Sequence, residues 1–325
     1  MIGKKHSGEK LMKIQRPTNK KNHFDIVTFG GAVIDTFLNT DVPEDSGKIC
    51  YESGSKILIK DLRFDVGGGG TNTAAAFSRF GFKTGFIGKL GKAANAHKVL
   101  DCLKNEKITF LGTQDPKFMT GYSVILDSRE HERTILTYKG ANDHVKLSDI
   151  KPFTSDWLYL SSLLEESFTT QITLAKKLYK QGTRIAFNPS QYLITNHNLS
   201  PLLTICDVLI LNKEEAQLLT KNNSDDIKVL FKSIHDMHPK KVVITDTMRP
   251  AGVYDGSNYE FITPHKNVKV VERTGAGDAF ASGFVAGCMA KKPLKYCMDL
   301  ALRESESVLK YFGAKNNLLK MKLRK

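Results

Sequence analysis

The chain has 325 residues, 41% of them hydrophobic and 25% charged, enough to bury a large core within one α/β domain. It shows no apolar run of membrane-spanning length and no apolar stretch after the N-terminal lysines, and its five cysteines lack Cys-x-x-Cys pairing or metal spacing with histidine. These features exclude a membrane-embedded protein, a signal peptide and a disulfide scaffold, and a cytoplasmic setting with packing thiols is expected. The net charge of +14 lies mostly at the ends: residues 1–23 hold seven Lys or Arg against one Glu, and residues 315–325 hold five with no acid. Such ends read as solvated tails, and with no nucleic-acid module beside them no specific nucleic-acid partner is expected.

In chain order, a basic tail at 1–23 gives way to a first strand at 24–29. Extended pieces at 48–51 and 56–64 precede the glycine run Gly67–Gly70, after which an Ala-rich helix at 73–80 is expected, capped by Thr71 or Asn72 and stopped at Gly81. Residues 83–88 read as extended and 95–106 as an amphipathic helix. Alternating segments at 122–126 and 134–138 flank the charged stretch 127–133, a hairpin signal. Buried strands are expected at 157–160, 184–187, 207–211 and 241–245, and helices at 279–290 and 294–311. This alternation predicts a doubly wound, mostly parallel sheet flanked by helices. Segments 48–64 and 121–138 interrupt the rhythm with polar-edged β sequence.

Two glycine clusters carry the chemistry. Residues 272–290 run from a β-branched stretch into Thr274-Gly275-Ala276-Gly277-Asp278 and a small-residue helix. Amides at such a helix start have no intrahelical partner and face the positive end of the dipole, which makes an anion hole of Gly275, Ala276 and Gly277. Asp278, in the first turn, could serve as a base beside a bound phosphate or simply cap the helix. In the other cluster, Gly68 and Gly69 allow close backbone approach to a ligand, and Asn72 could contact a polyol or merely cap. Lys89 and Lys92 could meet a substrate phosphate, although surface lysines are the plainer reading. Neither cluster shows Gly-x-Gly-x-x-Gly followed by an acidic residue about 20 positions on, which argues against a dinucleotide oxidoreductase.

These segments together resemble the ribokinase-like, or PfkB, carbohydrate kinases over roughly residues 24–318, with 319–325 left as a basic tail. Thr28-Phe29-Gly30-Gly31-Ala32-Val33-Ile34-Asp35 is similar to the family's opening strand with its sugar-binding aspartate, Asp35. Gly67–Asn72 and Thr274–Asp278 resemble its two signatures, and Asn212-Lys213-Glu214-Glu215 its Asn-x-x-Glu element. The resemblance implies an ATP-dependent kinase with Asp278 as base, with Asp35, Gly68, Gly69 and Asn72 at the sugar, and with Asn212 and Glu215 holding Mg2+ through water. It also implies that 48–64 and 121–138 form a small β-sheet lid through which a homodimer could form. Thr245, Thr247 and Gly252 would contact the nucleotide, although Thr247 stands where the family often has glycine. Glu272 stands where relatives carry the aspartate of a monovalent-cation site, which puts potassium activation in doubt. The acceptor is expected to be a ribose- or fructose-like sugar. A nucleoside is the alternative, with Phe64, Tyr122 and Tyr138 stacking on a base. A silent binding regulator on the same fold is a further alternative, against which Asp278 speaks.

Overall fold

The computed structural model describes residues 22–129, 133–247 and 249–324. A nine-stranded sheet runs in the order Tyr259–Ile262, Arg249–Tyr254, Val242–Asp246, Val208–Asn212, Arg184–Asn188, Thr154–Ser161, His23–Phe29, Thr84–Ile87, Thr109–Phe110. Its seven strands from Val242–Asp246 onward are parallel, and the first two are an antiparallel extension. The extension lies outside the predicted strand set: Pro250 and Gly252 weaken its β signal, and pairing with Val242–Asp246 holds it.

One core lies on each face of the sheet. Helices Gly69–Arg79, Ala94–Asn105, Ala276–Met289 and Leu294–Leu309 cover one face, burying Phe77, Val99, Phe284 and Leu300. Glu165–Lys180, Lys213–Thr220 and Ile227–His235 cover the other, burying Leu174, Ala216 and Phe231. Each fully buried Phe or Leu contributes roughly 1.5–3 kcal/mol. The glycine-run helix starts at Gly69, so neither Thr71 nor Asn72 caps it. Gly68, at φ 94°, is the N-cap residue, and a non-glycine residue would be strained in that conformation.

A separate four-stranded sheet has the order Arg133–Tyr138, Gly121–Asp127, Val33–Asn39, Asp61–Gly67. It is the small lid sheet, and its hairpin pairs Tyr122 with Tyr138. Its membership corrects the expected boundaries. Val33–Asn39 belongs to it, because the chain leaves the main sheet at the Gly30-Gly31 turn. The strand expected at 56–64 starts only at Asp61. Segment 48–51 contributes only the pair Glu44–Asp45 with Lys48–Ile49.

The C-terminal segment is not a free basic tail. Leu318 is buried in the core and Leu319, Met321 and Leu323 pack against it. The Met321 and Leu323 amides donate to the Arg79 and Phe80 carbonyls at 3.2 and 3.0 Å. The apolar residues interleaved with lysines let one side dock while the charges stay wet. Most of the N-terminal tail, residues 1–21, lies outside the described residues.

Candidate active site

In an open α/β sheet, ligands gather beyond the carboxyl ends of the strands where the strand order reverses. Here the reversal flanks His23–Phe29, whose neighbours continue toward opposite edges. A cavity of 260 Å³ opens at this place, lined by Gly68, Gly69, Asn142, Ser161, Asn188 and Asp278 among others. The two glycine clusters, about 200 positions apart in sequence, meet across it.

Asp278 lies in the first turn of Ala276–Met289, whose N-cap is Gly275 at φ 81°. A Cβ at Gly275 would sit 2.4 Å from that of Ala314, so glycine lets the C-terminal segment close on this turn. The Ala276 amide donates to the Arg273 carbonyl at 3.3 Å. Of the expected anion-hole set, the Ala276 amide is therefore occupied, and the amides of Gly275 and Gly277, with that of Asp278, are left to meet an anion. Asp278 accepts from Asn72 Nδ2 through Oδ2 at 2.8 Å. Burial raises its pKa, while the Asn72 bond and the Lys315 charge pull it back down.

Asn72 therefore orients a carboxylate instead of capping. Its Oδ1 accepts from Lys315 Nζ at 2.6 Å, and Lys315 also donates to the Val66 carbonyl. Lys315, counted with the basic tail on charge alone, is 5% exposed. Asp35 stands near this group on Val33–Asn39, with its pKa raised by burial despite Lys315 and a bond to Ser123. It does not line the 260 Å³ cavity.

Asn212 and Glu215 form a reciprocal capping box: Asn212 Oδ1 accepts from the Glu215 amide at 2.7 Å, and Glu215 Oε2 from the Asn212 amide at 2.9 Å. Glu215 also lines the cavity with Asp278, and burial raises its pKa. No cluster of three or more His, Cys, Asp or Glu able to cage a metal exists among the described residues. One carboxylate at the cavity wall fits Mg2+ held through water and substrate phosphates, since this ion dehydrates reluctantly. A second groove, of 350 Å³, adjoins the same helix start and includes Asn212, Thr245, Thr247, Val268, Gly277 and Phe280. Gly252 does not line it. A Cβ there would lie 2.7 Å from Phe261, so this glycine serves aromatic packing.

Several cavity residues lie outside the set expected from sequence. Ser161 and Asn188 end buried strands, and a polar residue closing an apolar strand was the available signal. Asn142 bonds both the amide and the carbonyl of Ala32 at 3.0 Å, pinning the turn after Gly31. Ser161 Oγ and Asp143 Oδ1, in residues that line the cavity, are buried without a partner. Lys89 is 4% exposed and pairs with Asp115 and Asp149 at 3.2 and 3.1 Å, so it is not a phosphate ligand.

Strand register also corrects the base-stacking idea. Asp35 lies opposite Asp65 and Ser123, whereas Phe64 lies opposite Thr36, and Tyr122 opposite Ile34 and Tyr138. Side chains alternate between faces, so Phe64, Tyr122 and Tyr138 project from the face away from Asp35. The Asp35 side is instead tied to the anion-hole loop: Arg133 pairs with Glu272 and donates to Thr274 Oγ1 at 2.8 Å. Glu272 Oε1 also accepts from the Arg273 and Thr274 amides at 2.7 and 2.9 Å.

The family model described as pfkB family carbohydrate kinase matches residues 25–321. A cytidine kinase from Thermococcus kodakarensis is 34% identical over 147 residues, which span 44% of this chain and 52% of that protein. A ribokinase from Haemophilus influenzae is 27% identical over 248 residues, 74% of this chain and 79% of the relative. Among solved structures, Arabidopsis thaliana ribokinase complexed with ribose and ATP has a TM-score of 0.75 at 19% identity, covering 91% of this chain and 96% of that one. The Methanocaldococcus jannaschii nucleoside kinase gives 0.74 at 19% identity over 91% and 95%. At such identities these likenesses speak for the fold alone.

Proposed function

We infer the acceptor and the residue roles from one premise, that this chain belongs to the pfkB family of carbohydrate kinases. It is a phosphotransferase with an alcohol acceptor, and the γ-phosphoryl group of ATP goes to a hydroxyl of a small ribose- or fructose-like sugar. The observation that carries this reading is the half-buried Asp278 carboxylate, bonded to Asn72 at 2.8 Å and facing the same cavity as Gly68 and Gly69. ATP supplies an activated phosphoryl group in the 350 Å³ groove, whose walls Thr245 and Thr247 share with apolar Val268 and Phe280.

Asp278 takes the proton from the acceptor hydroxyl as it attacks. The Gly277 and Asp278 amides face the oxygens of the transferring group, which concentrate charge in the transition state. Asn212 and Glu215 would hold Mg2+ through water, and the ion would neutralise charge on the phosphates. Ser161 Oγ and Asp143 Oδ1 offer unpaired atoms to acceptor hydroxyls. Arg133 holds the Glu272 carboxylate, which speaks against a potassium ion at this corner.

The cavity walls carry Lys139, Asn142, Asp143, Asn188 and Glu215 but no aromatic side chain among the described residues, which favours a polyol over a base. The relative named cytidine kinase keeps a nucleoside as the second reading. A panel of sugars and nucleosides in an ATP-consumption assay decides between them, and turnover only with nucleosides would overturn the sugar assignment.

The lid's outer side supports a homodimer. Leu62, Phe64, Leu136 and Tyr138 are 48%, 52%, 56% and 52% exposed and share the face away from Asp35, an apolar surface suited to a second copy of the chain. Cytoplasmic residence completes the reading: no helix among the described residues is long and apolar enough to cross a membrane, and the five cysteines are free.

A further inference from the structure

We propose that Lys315 is a positioning residue for transfer, a buried ammonium that fixes the Asn72 carboxamide and thereby presents the Asp278 carboxylate as a base. The proposal rests on the assignment of Asp278 as the base. An ammonium can only donate, so the Asn72 atom facing Lys315 must be the oxygen, and Lys315 Nζ lies 2.6 Å from Oδ1. The amide nitrogen is then forced toward Asp278 Oδ2, 2.8 Å away. Without the lysine the carboxamide could flip, presenting an oxygen to the carboxylate and repelling it.

The lysine is itself held. Its carbonyl accepts from Arg79 Nη1 at 2.9 Å, and its ammonium is also bonded to the Val66 carbonyl. The two preceding residues wedge it in place. A Cβ at Gly313 would sit 2.0 Å from Asp65 Oδ2, and Ala314 lies against Gly275 of the anion-hole loop. The segment thus joins the lid strand, the first glycine cluster and the second.

Its surroundings are acidic from each side. Burial lowers the Lys315 pKa, while Asp65 on Asp61–Gly67, Asp35 on Val33–Asn39 and Asp278 on Ala276–Met289 favour its charged form; Cys102 on Ala94–Asn105 also faces it, its thiol pushed up by burial and so neutral. Asp278 in turn faces Asn72 and Lys315, with Asp35 and the buried Tyr159 nearby. Lys315 is the positive charge that offsets desolvation of the base. Asp65 Oδ2 lacks a hydrogen-bond partner, so removal of the cation would leave this acidic group uncompensated.

The test is Lys315→Met, with kcat and KM measured from pH 6 to pH 9 beside Asn72→Ala, the double variant and Asp278→Asn. With the cation gone, the acid limb of the kcat profile moves to higher pH, and the loss at pH 6 exceeds that at pH 9 by roughly tenfold. At pH 9, where the direct charge effect on Asp278 is silent, the double variant loses no more than Asn72→Ala alone, because there both act through one carboxamide. A profile parallel to wild type, or losses that add at pH 9, would overturn the proposal. If Lys315→Met does not fold, Lys315→Gln, which keeps a donor without the charge, is subjected to the same criteria. Should Asp278→Asn keep full turnover, the base assignment itself fails. An inactive Asp278→Asn beside an unshifted Lys315→Met profile defeats the lysine proposal alone.

Discussion

Replacement of Glu304 by glutamine should reverse a pH-dependent weakness in the C-terminal anchor. Glu304, on Leu294–Leu309, is fully buried; Oε2 accepts from the Leu319 amide at 2.8 Å, while Oε1 has no partner. The cation that acts on it, Arg79, is already committed to Glu106 at 2.9 and 2.5 Å. Burial therefore dominates and raises the Glu304 pKa from 4.5 to about 7. A raised carboxyl pKa means that the folded state holds its proton more tightly than the unfolded one. Its stabilising contribution is complete below pH 4.5 and is lost as pH rises to about 7. At about 1.4 kcal/mol per pH unit that loss is on the order of 3 kcal/mol at most. Glutamine keeps the oxygen that receives the Leu319 amide and does not titrate. Its amide nitrogen lacks an acceptor, which costs about 1–3 kcal/mol at every pH, so the signal is the change with pH. Between pH 5 and pH 8 the melting temperature of wild type should fall by several degrees more than that of Glu304→Gln, at about 2 °C per kcal/mol. Parallel curves would refute the reasoning.

Truncation after Leu318 removes Leu319, Met321 and Leu323 from the core surface together with the Arg324–Asp25 ion pair. It should destabilise the fold by about 3 kcal/mol, and an unchanged melting temperature would restore the free-tail reading. Glu215→Ala should raise the Mg2+ requirement in separate titrations of metal and acceptor, whereas an effect confined to acceptor KM would remove Glu215 from the metal. Leu136→Lys with Tyr138→Lys should convert a dimer to a monomer in sedimentation, and unchanged mass would exclude the lid's outer face as the interface.

The strands Thr154–Ser161, Arg184–Asn188 and Val208–Asn212 were legible because a buried parallel strand is an unbroken apolar run between helical segments. The glycine clusters were legible because four successive glycines and Gly275-Ala276-Gly277-Asp278 serve few purposes other than close approach and a helix start. What stayed hidden depended on contacts distant in sequence. Lys315 looks like any tail lysine until Val66 and Asn72, over 240 positions earlier, are brought to it. The parity of Phe64 and Asp35 rests on strand register, which a composition of aromatics near a lid does not reveal. The place of Val33–Asn39 in the lid was not legible, because its apolar pattern suits either sheet, and only the pairings with Gly121–Asp127 and Asp61–Gly67 decide.

The central claim is that Asp278 is the general base of a phosphoryl transfer, and Asp278→Asn tests it most directly. The amide preserves the size of the side chain and removes its capacity to take a proton. Turnover with the acceptor identified from the panel should fall by at least about 100-fold, while ATP affinity, measured by calorimetry, stays near that of wild type. A folded Asp278→Asn protein with wild-type turnover would contradict the account.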